Sequence, residues 1–235
     1  MESPASNRSG SLNQDAAIPC PIPTHPVAAL EDRPAVRIVP YPHPALRYPS
    51  VPVTRFDDEL RGQIQAMFAL MYENEGIGLA ANQVALPYQF FILNISGNPE
   101  QTELEQVFIN PQILRKQATA QDEEGCLSFP GLHGKVLRPR RIKVRAWDQY
   151  GVPFELEADE LLARAIQHEW DHLHGRLFID KFSTLGRINA SKKLKAFEAE
   201  FRAAQERGEY PSDEEIVRQL DALAALQSAT VAGSA

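Results

Sequence analysis

One stretch, Gln167-His168-Glu169-Trp170-Asp171-His172, constrains this chain more than any other. It is an H-E-x-x-H pattern that continues the apolar-periodic run Leu161-Leu162-Ala163-Arg164-Ala165-Ile166, so it reads as part of a helix. His168 and His172 are then i and i+4, projecting from one face about one turn apart. Two imidazoles placed in this way bind one transition metal. Glu169 is rotated by ~100° to the edge of that face. It is poorly placed as a third ligand but reaches a water on the metal, which is the geometry of a metal-dependent hydrolase with Glu169 as general base. The bland alternative is a pair of surface histidines that matches a short pattern by chance.

A catalytic site of this kind takes three protein ligands and leaves one position open for water. The metzincin pattern would continue to a third histidine, but Phe178 stands there, although Gly175 is in register. A thermolysin-like glutamate is not supplied either. The region a few turns on reads Ser191-Lys192-Lys193-Leu194-Lys195, and Glu198 and Glu200 look like solvated helix positions. His174, His133 and Cys126 remain. Cys126 is the best of these, in Glu124-Gly125-Cys126-Leu127-Ser128, a glycine-containing turn between two β-like stretches. A lone cysteine is more often a buried structural residue, yet a thiolate is a strong metal ligand.

A third signature lies upstream, at Gly76-Ile77-Gly78-Leu79-Ala80-Ala81-Asn82-Gln83. It follows an amphipathic stretch with Leu60, Ile64, Met67, Phe68 and Met71 at helical spacing. Small residues in a row let backbone approach a ligand closely. The spacing is not that of a dinucleotide fingerprint. Gln83 is either a buried loop glutamine or an amide donor to an oxyanion.

These three motifs, in this order and with these separations, resemble the signatures of the peptide deformylases, a resemblance extending from about Val36 to about Phe182. The resemblance implies that Cys126, His168 and His172 hold the metal and that Glu169 is the catalytic acid/base. It also makes Gln83 and the backbone N–H of Leu127 the oxyanion donors, and puts Ile77 and Gly78 beside the substrate cleft. Trp170 departs from the smaller aliphatic residue expected there, which bears on helix packing because it points away from the ligand face. The implied reaction is hydrolysis of the N-formyl group of N-formylmethionyl nascent peptides (EC 3.5.1.88), with iron(II) as the expected metal and zinc as its replacement. An encounter with the ribosome near the exit tunnel and no direct nucleic-acid role in catalysis are expected as well, and the cytoplasm is the default location because residues 1–33 hold no apolar h-region. Two alternatives stand beside it: an H-E-x-x-H metalloprotease, and a silent binding homologue, against which the intact Cys126, His168, Glu169 and His172 argue.

The 235 residues suit one domain with extensions, and 43% hydrophobic content suffices for a core. A net charge of −7 argues against a nucleic-acid groove over the whole surface. Arg138-Pro139-Arg140-Arg141 is a local basic stretch, read as the solvated face of a strand from the alternation in Arg141-Ile142-Lys143-Val144-Arg145-Ala146. Cys20 and Cys126 alone imply no disulfide framework, and no run is long enough for a membrane span.

The expected fold is α+β, with antiparallel or mixed β-sheets packed around a central H-E-x-x-H helix and a C-terminal helix. The chain divides into a flexible tail over 1–33, poor in large apolar residues, a catalytic domain over 34–183 and a helical extension over 184–235. Strands are expected at 36–40, 90–95, 107–114 and 141–147, with a turn over 148–151. Helices are expected at 57–73, 159–174 and about 188–207, followed by a break at 208–211. Ser212 and Glu215 give a last helix a capping-box start, with Leu220, Leu223 and Leu226 as its apolar stripe, expected to pack on the domain, with contact to a partner or the ribosome as the sharper alternative.

Overall fold

A computed structural model describes residues 36–228. The tail expected over Met1–Arg33 lies outside the described residues. Helix α1 (Asp58–Glu73) begins where Asp57 Oδ1 accepts from Leu60 N at 3.0 Å, with Asp58 and Glu59 adding negative charge to its first turn. Its stripe of Leu60, Ile64, Met67, Phe68 and Met71 is buried, as the helical spacing requires.

Five strands form one antiparallel sheet in the order β1-β2-β3-β6-β7: β1 (Gly78–Ala80), β2 (Phe90–Leu93), β3 (Gln106–Gln117), β6 (Arg141–Trp147) and β7 (Pro153–Asp159). A separate antiparallel pair, β4 (Ala120–Gly125) and β5 (His133–Arg138), is inserted between β3 and β6. In β6, Ile142, Val144 and Ala146 are buried while Arg141 and Arg145 are exposed, so the period-2 reading holds. Pro111, which has no N–H for the ladder, sits at a break in the β3–β6 register, and the Asn110 side chain there bonds Val53 N and O instead.

Helix α2 (Glu160–Leu173) carries the H-E-x-x-H residues and packs on β1, β2, β6 and β7. From Ala163 to Leu173 every residue but Trp170 is buried. Helix α3 (Thr184–Glu206) starts four residues before the expected boundary, because Ser183 Oγ caps it by accepting from Gly186 N at 3.2 Å. Helix α4 (Asp213–Ser228) follows the expected break, and Ser212 Oγ accepts from Glu215 N, half of a capping box. Its buried stripe is Ile216, Leu220 and Ala224, with Leu223 half-buried. Leu226 is 57% exposed, contrary to expectation: two steps of three residues turn it ~120° away from Leu220. Ile216 and Leu220 pack with Val39, Ala45 and Leu46, and Tyr48 Oη donates to Asp221 Oδ1 at 2.7 Å.

The strand expected at 36–40 is extended chain without a ladder. Pro40 interrupts its donors, and the segment bonds loops rather than a neighbouring strand: Val39 N donates to Gln83 O (2.8 Å) and Tyr41 N to Ser128 O (2.9 Å). It thereby ties together two of the three sequence motifs. No helix among the described residues is long and apolar enough to cross a membrane.

Candidate active site

The turn that follows β4 brings Cys126 to the ligand face of α2. One ligand atom each from Cys126, His168 and His172 lies within 4.8 Å of the other two, with both histidines buried. Cys126 Sγ is 3.4 Å from His172 Nε2, and the two imidazole centroids are 5.1 Å apart. The two other candidate ligands are elsewhere. His174 is exposed, with Nδ1 on Trp170 O at 2.8 Å and its ring on the Trp170 indole. His133 is an exposed residue of β5, packed across Gly125. Trp170 points away from the cluster, and its Nε1 donates to Pro111 O at 3.3 Å.

Gln83 lies in a 3-10 turn (Ala81–Val84) after β1 and is 1% exposed. Its Oε1 accepts from Ala80 N at 2.9 Å, which fixes the amide so that Nε2 faces Cys126 Sγ (3.4 Å) and Ser128 Oγ (3.3 Å). Asn82 Nδ2 donates to His172 O at 2.6 Å, joining the same turn to α2. Glu169 is 5% exposed, and its Oε2 has no hydrogen-bond partner among the described residues. Gly78 lies against that carboxylate: a Cβ there would be 2.6 Å from Glu169 Oε1.

These residues border a cleft of about 540 Å³. Ile77 and Gly78 form part of one wall, Cys126 and Leu127 part of the other, and Leu161, Ala165, His168 and Glu169 lie along α2. Leu127 lines the cleft, and its N–H makes no hydrogen bond to any described residue. All the residues expected at the site therefore line or adjoin one cleft.

A buried charge network behind the cluster has no counterpart in the sequence reading. Glu124, on β4, is 6% exposed and meets Arg138 Nε (2.5 Å), Arg164 NH1 (2.6 Å) and His168 Nδ1 (3.0 Å). Arg138 also donates to Asp171 Oδ2 at 2.6 Å. Arg138, expected on a solvated strand face, is 2% exposed. It is the last residue of β5 rather than part of β6, and its charge is neutralised from α2 and β4. Breaking one partner out of such a network costs about 3–5 kcal/mol. Glu124 lies two residues before Cys126 in the same motif, and that proximity is the signal that leads to it.

Burial alone would raise the Glu124 carboxyl, but hydrogen bonds from His168 and Arg138 hold it well below the carboxylate range. Burial pushes Glu169 up to about 7 against the opposing charges of His168 and Arg138. A divalent cation at the neighbouring cluster would draw it back down. Burial lowers His168, but its hydrogen bonds to Cys126 and Glu124 and the charge of Glu169 outweigh that and place it at about 10. Burial, with the positive charge of His168, drives His172 well below its ordinary value. A soft thiolate and two imidazoles make a donor set that fits zinc or ferrous iron.

The polypeptide deformylase family model matches residues 35–187. The peptide deformylase of Chromobacterium violaceum is 46% identical over 160 residues, covering 68% of this chain and 94% of its own. That of Rhodopirellula baltica is 37% identical over 182 residues, covering 77% and 90%. Among solved structures, a Plasmodium falciparum peptide deformylase superposes with a TM-score of 0.70 at 39% identity, covering 71% of this chain and 98% of that one. A Synechococcus elongatus peptide deformylase solved in complex with actinonin gives 0.65 at 41% identity, covering 69% and 89%.

Proposed function

The chain belongs to the peptide deformylase family, metalloenzymes that remove the N-formyl group from the amino-terminal methionine of nascent polypeptides, and we propose that Cys126, His168, His172, Glu169, Gln83 and Leu127 carry that reaction here. The observation that supports this most is the convergence of three ligand atoms beside a buried carboxylate whose Oε2 is unpartnered.

Cys126, His168 and His172 would hold the ion. A divalent ion bound there supplies Lewis acidity and makes water nucleophilic near neutral pH. Glu169 accepts a proton as water adds to the formyl carbon, and passes it to the peptide nitrogen as the C–N bond breaks. Formate and a free amino terminus result. Gln83 Nε2 and the Leu127 N–H donate to the formyl oxygen as negative charge gathers on it. Burial of Gln83 and its bond from Ala80 N preorganise that donor, so it need not reorient during the reaction. Ile77 and Gly78 would flank the formylmethionine in the cleft.

Iron(II) is the proposed resident metal, with zinc able to replace it, since both suit two imidazoles and a thiolate. The cytoplasm is the proposed location. The ribosome near its exit tunnel is the proposed meeting place, because the substrate is a nascent chain.

Formate release from formyl-Met-Ala-Ser by anaerobically purified protein, with metal analysis, tests the reading. Cys126→Ala should lose most of the bound metal and activity. Stoichiometric metal retained in that variant would remove Cys126 from the ligand set, and cleavage of unformylated peptides without formate would favour a protease.

A further inference from the structure

A ligand imidazole can present either ring nitrogen, and only one of them faces the ion. In His168 the nitrogen turned away from the cluster is Nδ1, 3.0 Å from Glu124 Oε2. Glu124 has almost no rotational freedom. Its Oε1 accepts from Arg138 Nε (2.5 Å) and Arg164 NH1 (2.6 Å), and its Oε2 accepts from Arg138 NH2 (2.8 Å). The two arginines are themselves held. Arg138 donates to Asp171 Oδ2 (2.6 Å) and Gln167 O (3.3 Å) on α2. Arg164 donates to Val136 O and Ala120 O, both at 3.0 Å. The carboxylate is thus an acceptor in a fixed place, anchored to β4, β5 and α2 at once.

We infer that Glu124 is a positioning residue for the metal centre: it accepts the Nδ1–H of His168, selecting the tautomer and ring orientation that leave Nε2 for the ion. This rests on the reading that Cys126, His168 and His172 hold a divalent metal. A carboxylate that accepts from a ligand histidine also raises the basicity of the coordinating nitrogen. The chain delivers this acceptor economically. Glu124 is the penultimate residue of β4 and Cys126 the first residue after it, so one short stretch supplies both a ligand and the residue that orients a second ligand. Among the described residues His172 has no such partner, as its Nδ1 is buried without a hydrogen bond. His168 is therefore the ligand that is held, and the site's affinity should depend on the group that holds it.

Glu124→Gln tests this closely. An amide has one acceptor oxygen where the carboxylate uses two, so its NH2 must face either an arginine or the His168 N–H. Zinc(II) affinity is read by competition with a chromophoric chelator, at a temperature well below both melting points. The expected result is a 10–100-fold weaker affinity than wild type. A purely structural role would lower the melting temperature and leave the affinity unmoved, and that outcome overturns the inference. A second measurement on the wild-type protein decides the matter even if the variant does not fold. Long-range 1H–15N spectra of the zinc-loaded enzyme should show His168 protonated at Nδ1, slow to exchange, and metallated at Nε2. Metallation at Nδ1, or a freely exchanging Nδ1 proton, overturns it. Wild-type protein that binds no stoichiometric zinc would instead overturn the metal reading beneath it, and the positioning role with it.

Discussion

Gly78→Ala isolates the contact that sets the position of Glu169. Gly78 does not have a positive φ, so the backbone accepts alanine and the effect comes from the added methyl alone. That methyl would lie 2.6 Å from Glu169 Oε1 and 2.7 Å from Leu93 Cδ2, where ordinary contact begins near 3.4 Å. Something must therefore give by about 0.8 Å, the difference between 3.4 and 2.6 Å. Strand β1 cannot retreat freely, because Gly78 is paired with Leu93, which is 0% exposed. The carboxylate moves instead. Misplacing a catalytic group by about 1 Å costs up to ~10²-fold, so kcat for formyl-Met-Ala-Ser should fall roughly 10- to 100-fold. Overpacking against Leu93 should add a destabilisation of about 1–3 kcal/mol. Bound metal should be unchanged, since no candidate ligand is touched. Combining the change with Glu169→Gln separates the routes: if Gly78 acts through Glu169, the double variant should be no slower than Glu169→Gln alone. A folded Gly78→Ala enzyme with wild-type kcat, or a loss that persists in full when Glu169→Gln is already present, would refute the reasoning.

Glu169→Gln itself should keep its metal and lose about 10²–10⁴-fold in turnover; near wild-type turnover at normal metal content would remove Glu169 from the mechanism. Gln83→Leu should lower kcat by about 10²-fold or more, the ~2.7–4 kcal/mol that one oxyanion donor contributes, whereas an unchanged kcat with a lower melting temperature would assign Gln83 to packing. Stability should also depend on His43, which burial and the charge of Arg37, partly offset by Asp213, lower from 6.5 to about 4. A depressed folded-state value means that its contribution is complete above about pH 6.5 and is lost as pH falls from there to about 4, by roughly 3 kcal/mol in all at about 1.36 kcal/mol per pH unit. Urea unfolding at pH 7 and pH 4.5 should show this difference, and His43→Gln should flatten it; parallel pH profiles for the two proteins would contradict it.

Elements with strong local patterns were legible in the chain. Helix α1 has both a capping aspartate and a five-residue apolar stripe, and β6 alternates cleanly. Strand β7 alternates as well, with Phe154, Leu156 and Ala158 inward, so its signal was available. Strand β4 carried no such signal. Its Ala120-Gln-Asp-Glu-Glu-Gly sequence buries only Glu124, a charged residue that any hydrophobic pattern assigns to solvent. The same inversion hid Arg138, whose basic run Arg138-Pro139-Arg140-Arg141 reads as the solvated face of a strand. Burial of a charge depends on a partner brought from a distant part of the chain, 14 residues away for Glu124 and 33 for Asp171, and local sequence does not encode that meeting.

The site, by contrast, was open to a different kind of inference once the surroundings of α2 are known. A helix buried on nearly all sides cannot carry Arg164, Gln167, His168, Glu169, Asp171 and His172 unless each polar group finds a partner. Arg164 and His168 find Glu124, Asp171 finds Arg138 and Lys181, and Gln167 donates to Pro139 O and Ala163 O. Two atoms of the helix are left over, Glu169 Oε2 and His172 Nδ1. The leftover carboxylate oxygen is the informative one. Burial pushes the Glu169 carboxyl up to about 7, and its Oε2 has no partner among the described residues. A packed interior tolerates such an atom where a reacting molecule completes it. Under the proposed reaction that molecule would be the water that adds to the formyl carbon, and the unpartnered oxygen supports Glu169 as the proposed general base.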